Sequence, residues 1–216
     1  MKLKSVLVAN PKGGSGKTTL ATNLAGGLAN LGEPVTLWDL DRQKSSLAWL
    51  DVRPPELPPI ARLDGEGTAN AGKGKGWLVL DSPAGLHGKN LQHALRLADR
   101  VLVPVQPSLF DMAAANDFLL GLVAERPKAS RRTIGVVGMR VDARTKAAAT
   151  LEAFLSQMGL PVLTYLRDAQ LYANAAFGGK SVFDLPEYMA SRELVQWQPV
   201  LDWLLGDGWS PTRVVY

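Results

Sequence analysis

The amino-acid sequence predicts an α/β protein with a doubly wound, mainly parallel β-sheet that is covered by helices on both faces. Short apolar runs rich in β-branched residues alternate along the chain with longer segments of helical periodicity. Strands that are separated by helices pair in parallel, and such a sheet is buried on both faces. A length of 216 residues and an apolar share of 46% suffice for one domain with a sizeable core. We therefore expect residues 1–216 to form a single domain.

The predicted elements follow one another in a regular order. Strands are expected at residues 5–9, 34–40, 77–81, 100–105 and 133–137. Helices are expected at residues 17–31, 45–51, 88–98, 112–125, 147–158 and 192–205. The first helix is amphipathic, with Leu20, Leu24, Leu28 and Leu31 on one face. A proline-rich and then glycine-rich stretch at residues 53–76 interrupts this order, and we interpret it as an excursion within the domain.

The composition excludes several classes of protein. Cysteine is absent, which rules out disulfide bridges, thiolate zinc sites and cysteine-bound iron–sulfur clusters. The apolar run near the N-terminus ends at Ala9, which makes it too short for an export signal. No segment approaches the ~18 apolar residues of a membrane span. We therefore expect a cytoplasmic protein.

Positive charge is concentrated in one part of the chain. The formal net charge is +4, whereas residues 126–146 contain seven basic residues and a single acidic one, Asp142. A local basic cluster suits a polyanion such as DNA, but a solubilising surface has the same composition. The candidate DNA-binding residues are Arg131, Arg132, Arg140, Arg144 and Lys146.

A glycine-rich loop links the first predicted strand to the first predicted helix. Residues 10–19 read NPKGGSGKTT, with Pro11 where the general P-loop pattern begins with glycine. Glycines let backbone N–H groups surround phosphate oxygens, and the helix N-terminus adds a favourable dipole. The pattern assigns Lys17 to the β- and γ-phosphates and the Thr18 hydroxyl to Mg²⁺. The candidate nucleotide-binding residues of the loop are Lys12, Gly13, Gly14, Ser15, Gly16, Lys17, Thr18 and Thr19.

A second lysine makes this loop more specific than a general P-loop. Lys12 gives it the form KGGxGKT, which resembles the deviant Walker A signature of the ParA/MinD family of P-loop ATPases. In that family the early lysine reaches across a dimer to the nucleotide of the other subunit. For Lys12, the resemblance implies that ATP forms part of a homodimer interface and that hydrolysis dissolves the dimer.

Two later segments resemble those that position the metal ion and the attacking water in this family. Residues 39–43, DLDRQ, are similar to the family's DxDPQ switch, and residues 81–85, DSPAG, to its Walker B segment. Both follow predicted strands, and ligands of open α/β sheets bind beyond the carboxyl ends of the strands. Because side chains alternate along a strand, Asp39 should lie on the same side as Asp41. Asp39 could therefore have either a direct role at the site or a structural one. The candidate catalytic residues are Lys12, Lys17 and Asp41, and the candidate metal-binding residues are Thr18, Asp41 and Asp81.

Further segments resemble the family as far as about residue 205. Residues 103–108 with the downstream Asp111 are similar to its fourth-strand exit, and residues 177–184 to its late G-x-x-V-F segment. Arg140 lies where relatives have an adenine-side loop, and Met139 replaces an asparagine that is common there. Arg140 could stack on the base or be a surface residue. The resemblance is greatest to the small ParF-like ParA proteins.

The ParA branch implies a specific function. Its ATP-bound dimers bind DNA without sequence preference, and a ParB-like or cargo adaptor protein stimulates hydrolysis. By resemblance, the chain is expected to be an ATPase with ATP and Mg²⁺ as cofactors and weak turnover without its partner. It would position or segregate a plasmid, a chromosome or a large protein assembly, associated with the nucleoid in the ATP state.

Other functions remain open at this point. The MinD branch binds membranes through a C-terminal amphipathic helix, but residues 187–207 contain four acidic residues and only Arg192 as a base. Anionic lipid would repel that segment, so no stable membrane association is expected. A metabolic P-loop enzyme with a substrate pocket in residues 53–76, and a nucleotide-binding scaffold with little turnover, are further alternatives. The absence of cysteine excludes the iron-carrying relatives.

Overall fold

The computed structural model describes residues 3–63, 75–124 and 133–206. The strands are β1 (Lys4–Val8), β2 (Val35–Asp39), β3 (Ala61–Leu63), β4 (Trp77–Asp81), β5 (Arg100–Val105), β6 (Thr133–Gly138) and β7 (Val162–Tyr165). The helices are α1 (Lys17–Asn30), α2 (Ser45–Asp51), α3 (Gly88–Leu97), α4 (Leu109–Ala124), α5 (Lys146–Gln157), α6 (Gln170–Phe177) and α7 (Glu187–Leu205). A 3₁₀ helix covers Val182–Asp184.

The seven strands form one parallel sheet in the order β3-β2-β4-β1-β5-β6-β7. Strand β1 lies at the centre, between β4 and β5. In the register of the sheet, Asp81 is opposite Val8 on one side and Asp39 on the other. The phosphate loop and both predicted carboxylate segments therefore leave the sheet at the same edge.

Helices cover both faces of the sheet and form two apolar cores. One core contains α1 and α7, which contribute Leu20, Leu24 and Trp197. The other contains α3, α4 and α5, which contribute Leu95, Leu119 and Leu151. All five residues of β4 are buried, as expected for a central strand of a sheet covered on both sides. The predicted fold class is confirmed.

Two strands and one α-helix were missing from the sequence prediction. Strand β3 lies inside the stretch at residues 53–76 and pairs with β2, so part of this excursion extends the sheet. Its three residues follow a proline-rich run, and so short an edge strand has no periodicity to detect. Strand β7, with four residues, and helix α6, with eight, were also missed.

Two predicted helix starts and one predicted face were wrong. Helix α4 begins at Leu109 rather than residue 112, and the backbone N–H of Asp111 donates to Ser108 Oγ at 3.1 Å in its first turn. Helix α7 begins at Glu187, directly after Pro186, and not at residue 192. Leu31 is 55% exposed because α1 ends at Asn30, one residue before it.

A buried ion pair attaches the start of the proline-rich segment to the C-terminal part of the domain. Arg53 donates to both carboxylate oxygens of Asp184, at 2.8 and 3.0 Å. The two side chains are 5% and 0% exposed. Asp184 also accepts hydrogen bonds from the backbone and side chain of Ser181 and from Asn30. This carboxylate therefore joins the segment after α2 to α1 and to the 3₁₀ helix.

Candidate functional site

The loop between β1 and α1 has the geometry of a phosphate cradle. Gly14 and Gly16 have φ of 75° and 95°, which lie in the left-handed region that favours glycine. The Asn10 side chain fixes the start of the loop, because its Nδ2 donates to the Pro104 carbonyl at 2.7 Å and its Oδ1 accepts from the Lys12 N–H at 2.8 Å. Helix α1 then begins at Lys17, with its N-terminal amide groups facing the loop.

Lys17 is anchored to the phosphate loop by a hydrogen bond from its side chain to the loop backbone. Its Nζ donates to the Lys12 carbonyl at 2.8 Å, and the residue is 7% exposed. Burial lowers the pKa of Lys17, whereas the nearby carboxylates of Asp81 and Asp41 oppose this effect. A phosphate group at this position would add negative charge and favour the protonated lysine.

Asp39 organises the second carboxylate segment and does not face the ligand. It is fully buried, and its Oδ1 accepts from the backbone N–H of Asp41 at 2.8 Å. Its Oδ2 accepts from the backbone N–H and the hydroxyl of Ser46 at 2.9 and 2.8 Å. Both oxygens are thus engaged, which gives Asp39 a structural role. Asp41 is half-buried, and its Oδ1 accepts from the Gln43 N–H at 3.0 Å.

Asp81 is a buried carboxylate with unused hydrogen-bonding capacity. It is 1% exposed, and its Oδ1 has no partner among the described residues. Burial raises the pKa of Asp81 to about 7; a hydrogen bond from Thr18 opposes this rise, and the negative charge of Asp39 adds to it. A carboxylate of this kind has capacity for a further cationic or donor partner.

These groups fit the magnesium ion that the family implies. Mg²⁺ in nucleotide sites takes a few protein oxygens together with water and phosphate oxygens. The Thr18 hydroxyl and the free oxygen of Asp81 are oxygen donors of this type. In the part of the chain that the structure describes, no three acidic or histidine side chains form a metal-holding group.

Lys12 lies at the rim of the loop and is paired within its own subunit. Its Nζ is 2.5 Å from Asp111 Oδ2, and the side chains are 35% and 7% exposed. Ser108 also donates to Asp111, and Gln106 Nε2 donates to the Gly14 carbonyl at 2.6 Å. The segment after β5 therefore supports the phosphate loop and holds its first lysine.

A cleft of about 610 Å³ extends from the phosphate loop along α1. A cavity of this size is typical of small-molecule sites. Its lining includes Thr18 and Thr19 at one end and residues of the loops after β6 and β7. Met139 lies directly against the loop, since a Cβ on Gly16 would be 2.9 Å from its Cε. Arg140 lines the cleft and has a positive φ of 54°, uncommon for a non-glycine residue.

In the part of the chain that the structure describes, two of the candidate DNA-binding arginines lie close to acidic side chains. Arg144 makes a bidentate pair with Asp142 at 3.0 and 2.9 Å, and these hydrogen bonds lower the pKa of Asp142 to about 2. Arg140 Nε lies 3.9 Å from Asp168 Oδ1. Lys146 is exposed at the start of α5. Arg131 and Arg132 lie outside the described residues.

Several residues that line the cleft were not found from the sequence. Arg167 and Asp168 follow β7, and Tyr172 lies in α6. Because neither β7 nor α6 was predicted, these side chains were not expected at the ligand-binding edge of the sheet. The useful signal would have been the short apolar run at residues 162–165, because polar residues after a parallel strand mark a ligand edge.

Comparison with known proteins places this geometry in a family. Residues 6–182 match the CobQ/CobB/MinD/ParA nucleotide binding domain. The chain belongs to this family of nucleotide-binding ATPases. The predicted resemblance to the ParA/MinD family is therefore confirmed.

Relatives in the family include proteins that are named for positioning large cellular objects. The maintenance of carboxysome distribution protein A of Halothiobacillus neapolitanus is 29% identical over 192 residues, which covers 85% of this chain and 88% of the relative. The chromosome-partitioning ATPase Soj of Thermus thermophilus is 32% identical over 190 residues, covering 71% and 76%. An ATP complex of McdA from Cyanothece shares the fold, with a TM-score of 0.71, 17% identity and coverage of 97% and 99%.

Proposed function

We propose that this protein is a single-domain ParA-like ATPase that forms an ATP-held homodimer and positions or segregates a cargo. The ATP-bound dimer binds DNA without sequence preference and is associated with the nucleoid. A ParB-like or cargo adaptor protein stimulates hydrolysis, which returns the protein to the monomer. Plasmid, chromosome and large protein assembly are all suitable cargoes, and the names of the relatives support this class of function.

The observation that carries this proposal is the position of Lys12. Two lysines serve one phosphate loop, and they have different surroundings. Lys17 is buried and directed at the loop, whereas Lys12 lies at the rim with 35% of its side chain exposed. A rim lysine next to the phosphates can be shared with a second subunit, as in the deviant Walker A pattern. Its ion pair with Asp111 is then exchanged for the partner's nucleotide.

The surface around Lys12 supports a dimer face. Leu109 and Phe110 are 73% and 76% exposed, and they directly precede Asp111. Gly13 and Gly14 of the loop are also exposed. Apolar side chains beside a phosphate site are costly to leave in water, and a second copy of the chain would cover them. ATP would then lie between the two subunits.

Hydrolysis uses a small set of residues. Thr18, Asp41 and Asp81 would hold Mg²⁺, which would supply charge neutralisation on the phosphates. Asp41 would orient the attacking water, and its loop is fixed by Asp39. The described residues offer little else at this site to activate water, so we expect slow turnover until an adaptor protein binds.

DNA binding is proposed for the basic residues of the segment at 126–146. Arg144 and Lys146 are exposed near the start of α5, and Arg140 is exposed beside the cleft. Arg144 still has N–H groups that could donate to a phosphate, although it pairs with Asp142. Binding through the DNA backbone would weaken strongly as salt concentration rises.

Most apolar residues in the second half of helix α7 pack into the core and are unavailable for a MinD-like membrane anchor, whereas Tyr188, Met189 and Val195 in its first half are exposed. Its residues Trp197, Val200, Leu201, Trp203 and Leu204 are all buried in the core. Among residues 3–63, 75–124 and 133–206, no helix combines the length and the apolar character needed to cross a bilayer. Because Trp197, Val200 and the other core-facing residues of α7 are buried, we favour DNA over a membrane as the matrix.

The experiment that tests the proposal is light scattering of the Asp41→Ala protein with Mg²⁺ and either ATP or ADP. We expect a dimer with ATP but not with ADP, and a larger complex when duplex DNA is added to the ATP sample. A monomer in both nucleotides would contradict the dimer, and an ATP dimer that ignores DNA at low salt would contradict the matrix.

Lys12→Ala in the same background isolates the role of the rim lysine. We expect ADP to bind normally and the ATP dimer to be lost. Lys89→Ala removes an exposed lysine of α3 and should leave dimerisation unchanged. Normal dimers in the Lys12→Ala protein would refute the role assigned to Lys12.

A further inference from the structure

Arg42 lies in the turn between β2 and α2, at the position of the proline in the family's DxDPQ segment. The residue is exposed. Among the described residues, its guanidinium group has neither an ion-pair nor a hydrogen-bond partner. An arginine has five N–H donors and stays charged in proteins, so all of these donors are available to a ligand.

Hydrogen bonds hold this turn without the help of a proline. The backbone N–H of Asp41 donates to Asp39 Oδ1 at 2.8 Å, and that of Gln43 donates to Asp41 Oδ1 at 3.0 Å. Lys44 Nζ donates to the Asp39 carbonyl at 2.6 Å. The Arg42 N–H donates to no group in the described parts of the chain, so a proline there would remove no hydrogen bond. The backbone therefore gives no reason for an arginine at this position.

The turn stands beside the phosphate end of the cleft. Strand β2 is two strands from β1, so the turn begins about 10 Å from the start of the phosphate loop. Burial lowers the pKa of Lys17, and the carboxylate of Asp41 is close enough to oppose this effect. Ser45, the first residue of α2, lines the cleft together with Thr18. Arg42 lies between Asp41 and Ser45 in the chain, and its side chain is long enough to span most of the distance to the loop.

Hydrolysis of ATP needs positive charge at this place. The oxygen of water bonds to the γ-phosphorus, the bond from that phosphorus to the bridging oxygen breaks with its electron pair on ADP, and both hydrogens of the water remain on the dihydrogen phosphate. Negative charge grows on the bridging and γ-phosphate oxygens. Lys17 is directed at the loop, whereas Lys12 is held by Asp111 in the isolated subunit. A guanidinium group beside Asp41 supplies a cation that Lys12 does not supply in this state.

We propose that Arg42 is an additional catalytic residue, an arginine finger that binds the γ-phosphoryl group of ATP in the transition state. It acts on the nucleotide of its own subunit, because the neighbouring Asp41 lies near Lys17 of the same phosphate loop. Its guanidinium group stabilises charge and does not activate the water, so turnover without an adaptor protein remains slow. This inference rests on the ATP hydrolysis proposed above.

Isothermal titration calorimetry with Mg²⁺ compares ADP alone with ADP plus aluminium fluoride, which imitates the γ-phosphoryl group during transfer. We expect Arg42→Ala to leave ADP affinity unchanged, since ADP lacks the γ-phosphate, and to weaken the aluminium fluoride complex at least tenfold. Steady-state kcat should fall by a similar factor, with the KM for ATP unchanged. Arg42→Lys keeps the charge but loses the forked donors, so its losses should be smaller. Arg96→Ala replaces an exposed arginine in the last turn of α3 and is the matched control that should change neither affinity.

Arg42→Pro gives the residue of the family's segment and separates the charge from the turn. It should keep the ADP affinity of the wild type and lose the aluminium fluoride complex to the same extent as Arg42→Ala. Unchanged binding of that complex in the Arg42→Ala protein, or an equal loss for both ligands, would overturn the proposal.

A mixture of the Arg42→Ala and Asp41→Ala proteins tests which subunit supplies the arginine. In a mixed dimer, a finger that crossed the interface would meet an intact Asp41 at one of the two sites. We expect no recovery of ATP turnover, and recovery would overturn the assignment of Arg42 to its own subunit. Failure of the wild-type protein to bind ADP or to hydrolyse ATP would instead refute the proposed ATPase function.

Discussion

Replacing Asp184 by asparagine is expected to destabilise the fold severely. The carboxylate accepts two hydrogen bonds from Arg53 at 2.8 and 3.0 Å, and both side chains are almost fully buried. Asp184→Asn leaves the guanidinium group buried without its counter-charge. Breaking a buried pair from one side costs about 3–5 kcal/mol of unfolding free energy. For a protein of this size, that loss corresponds to a melting temperature lower by about 6–20 °C.

Thermal and urea unfolding measure this effect against a control within the same chain. Arg62 and Asp51 form another Arg–Asp pair at 2.5 Å, but their side chains are 45% and 58% exposed. Asp51→Asn should therefore cost no more than about 1 kcal/mol. Combining Asp184→Asn with Arg53→Met removes both charges and should be less destabilising than Asp184→Asn alone.

The pH dependence has a definite sign. Burial by itself raises the pKa of Asp184, but hydrogen bonds from Arg53, Ser181 and Asn30 outweigh it and hold the pKa below its ordinary value. A depressed pKa stabilises the fold above the unfolded-state value of about 3.9, and this contribution is lost as the pH falls through the folded-state value. The gap between wild type and Asp184→Asn should be constant from about pH 5 to 8 and shrink below about pH 4. Equal stability of the two proteins at pH 7 would refute this reasoning.

Three further substitutions test the site. Gly16→Ala places a Cβ 2.9 Å from Met139 Cε at a φ of 95°, so ADP affinity in calorimetry should fall at least tenfold. Asp39→Asn replaces one of two accepting oxygens by a donor, so steady-state ATP turnover should fall while ADP still binds; unchanged turnover would contradict the structural role of Asp39. Phe110→Ser should weaken the ATP dimer in light scattering without changing ADP affinity, whereas Leu120→Ser, 55% exposed on the same helix, should have no effect.

Much of the fold could be predicted because its signals are local. The central strands are continuous apolar runs, and β4, β5 and α2 were placed at their observed bounds. The phosphate loop combines glycines, a lysine and a helix start within a few residues, which leaves little ambiguity. Strands β3 and β7 were missed because edge strands of three and four residues are too short for periodicity to appear.

The remaining features depend on contacts between distant parts of the chain. Arg167 pairs with Glu193, which is 26 residues later, and Arg53 with Asp184, which is 131 residues later. Nothing near Glu193 in the sequence marks it as buried, because charged residues of helices usually face solvent. Asp39 also needed the structure, since only its hydrogen bonds to Asp41 and Ser46 reveal that both of its oxygens are occupied.

The strand order has a consequence for how the chain is assembled during synthesis. Of the seven described strands, β1 is synthesised first, but it occupies the middle of the sheet and does not pair with β2. It has no neighbour until β4, which ends at Asp81, has been made. Strands β5, β6 and β7 are then added one after another at a single edge. A nascent chain would thus display its phosphate loop long before β7 and the loop that carries Arg167 have been made.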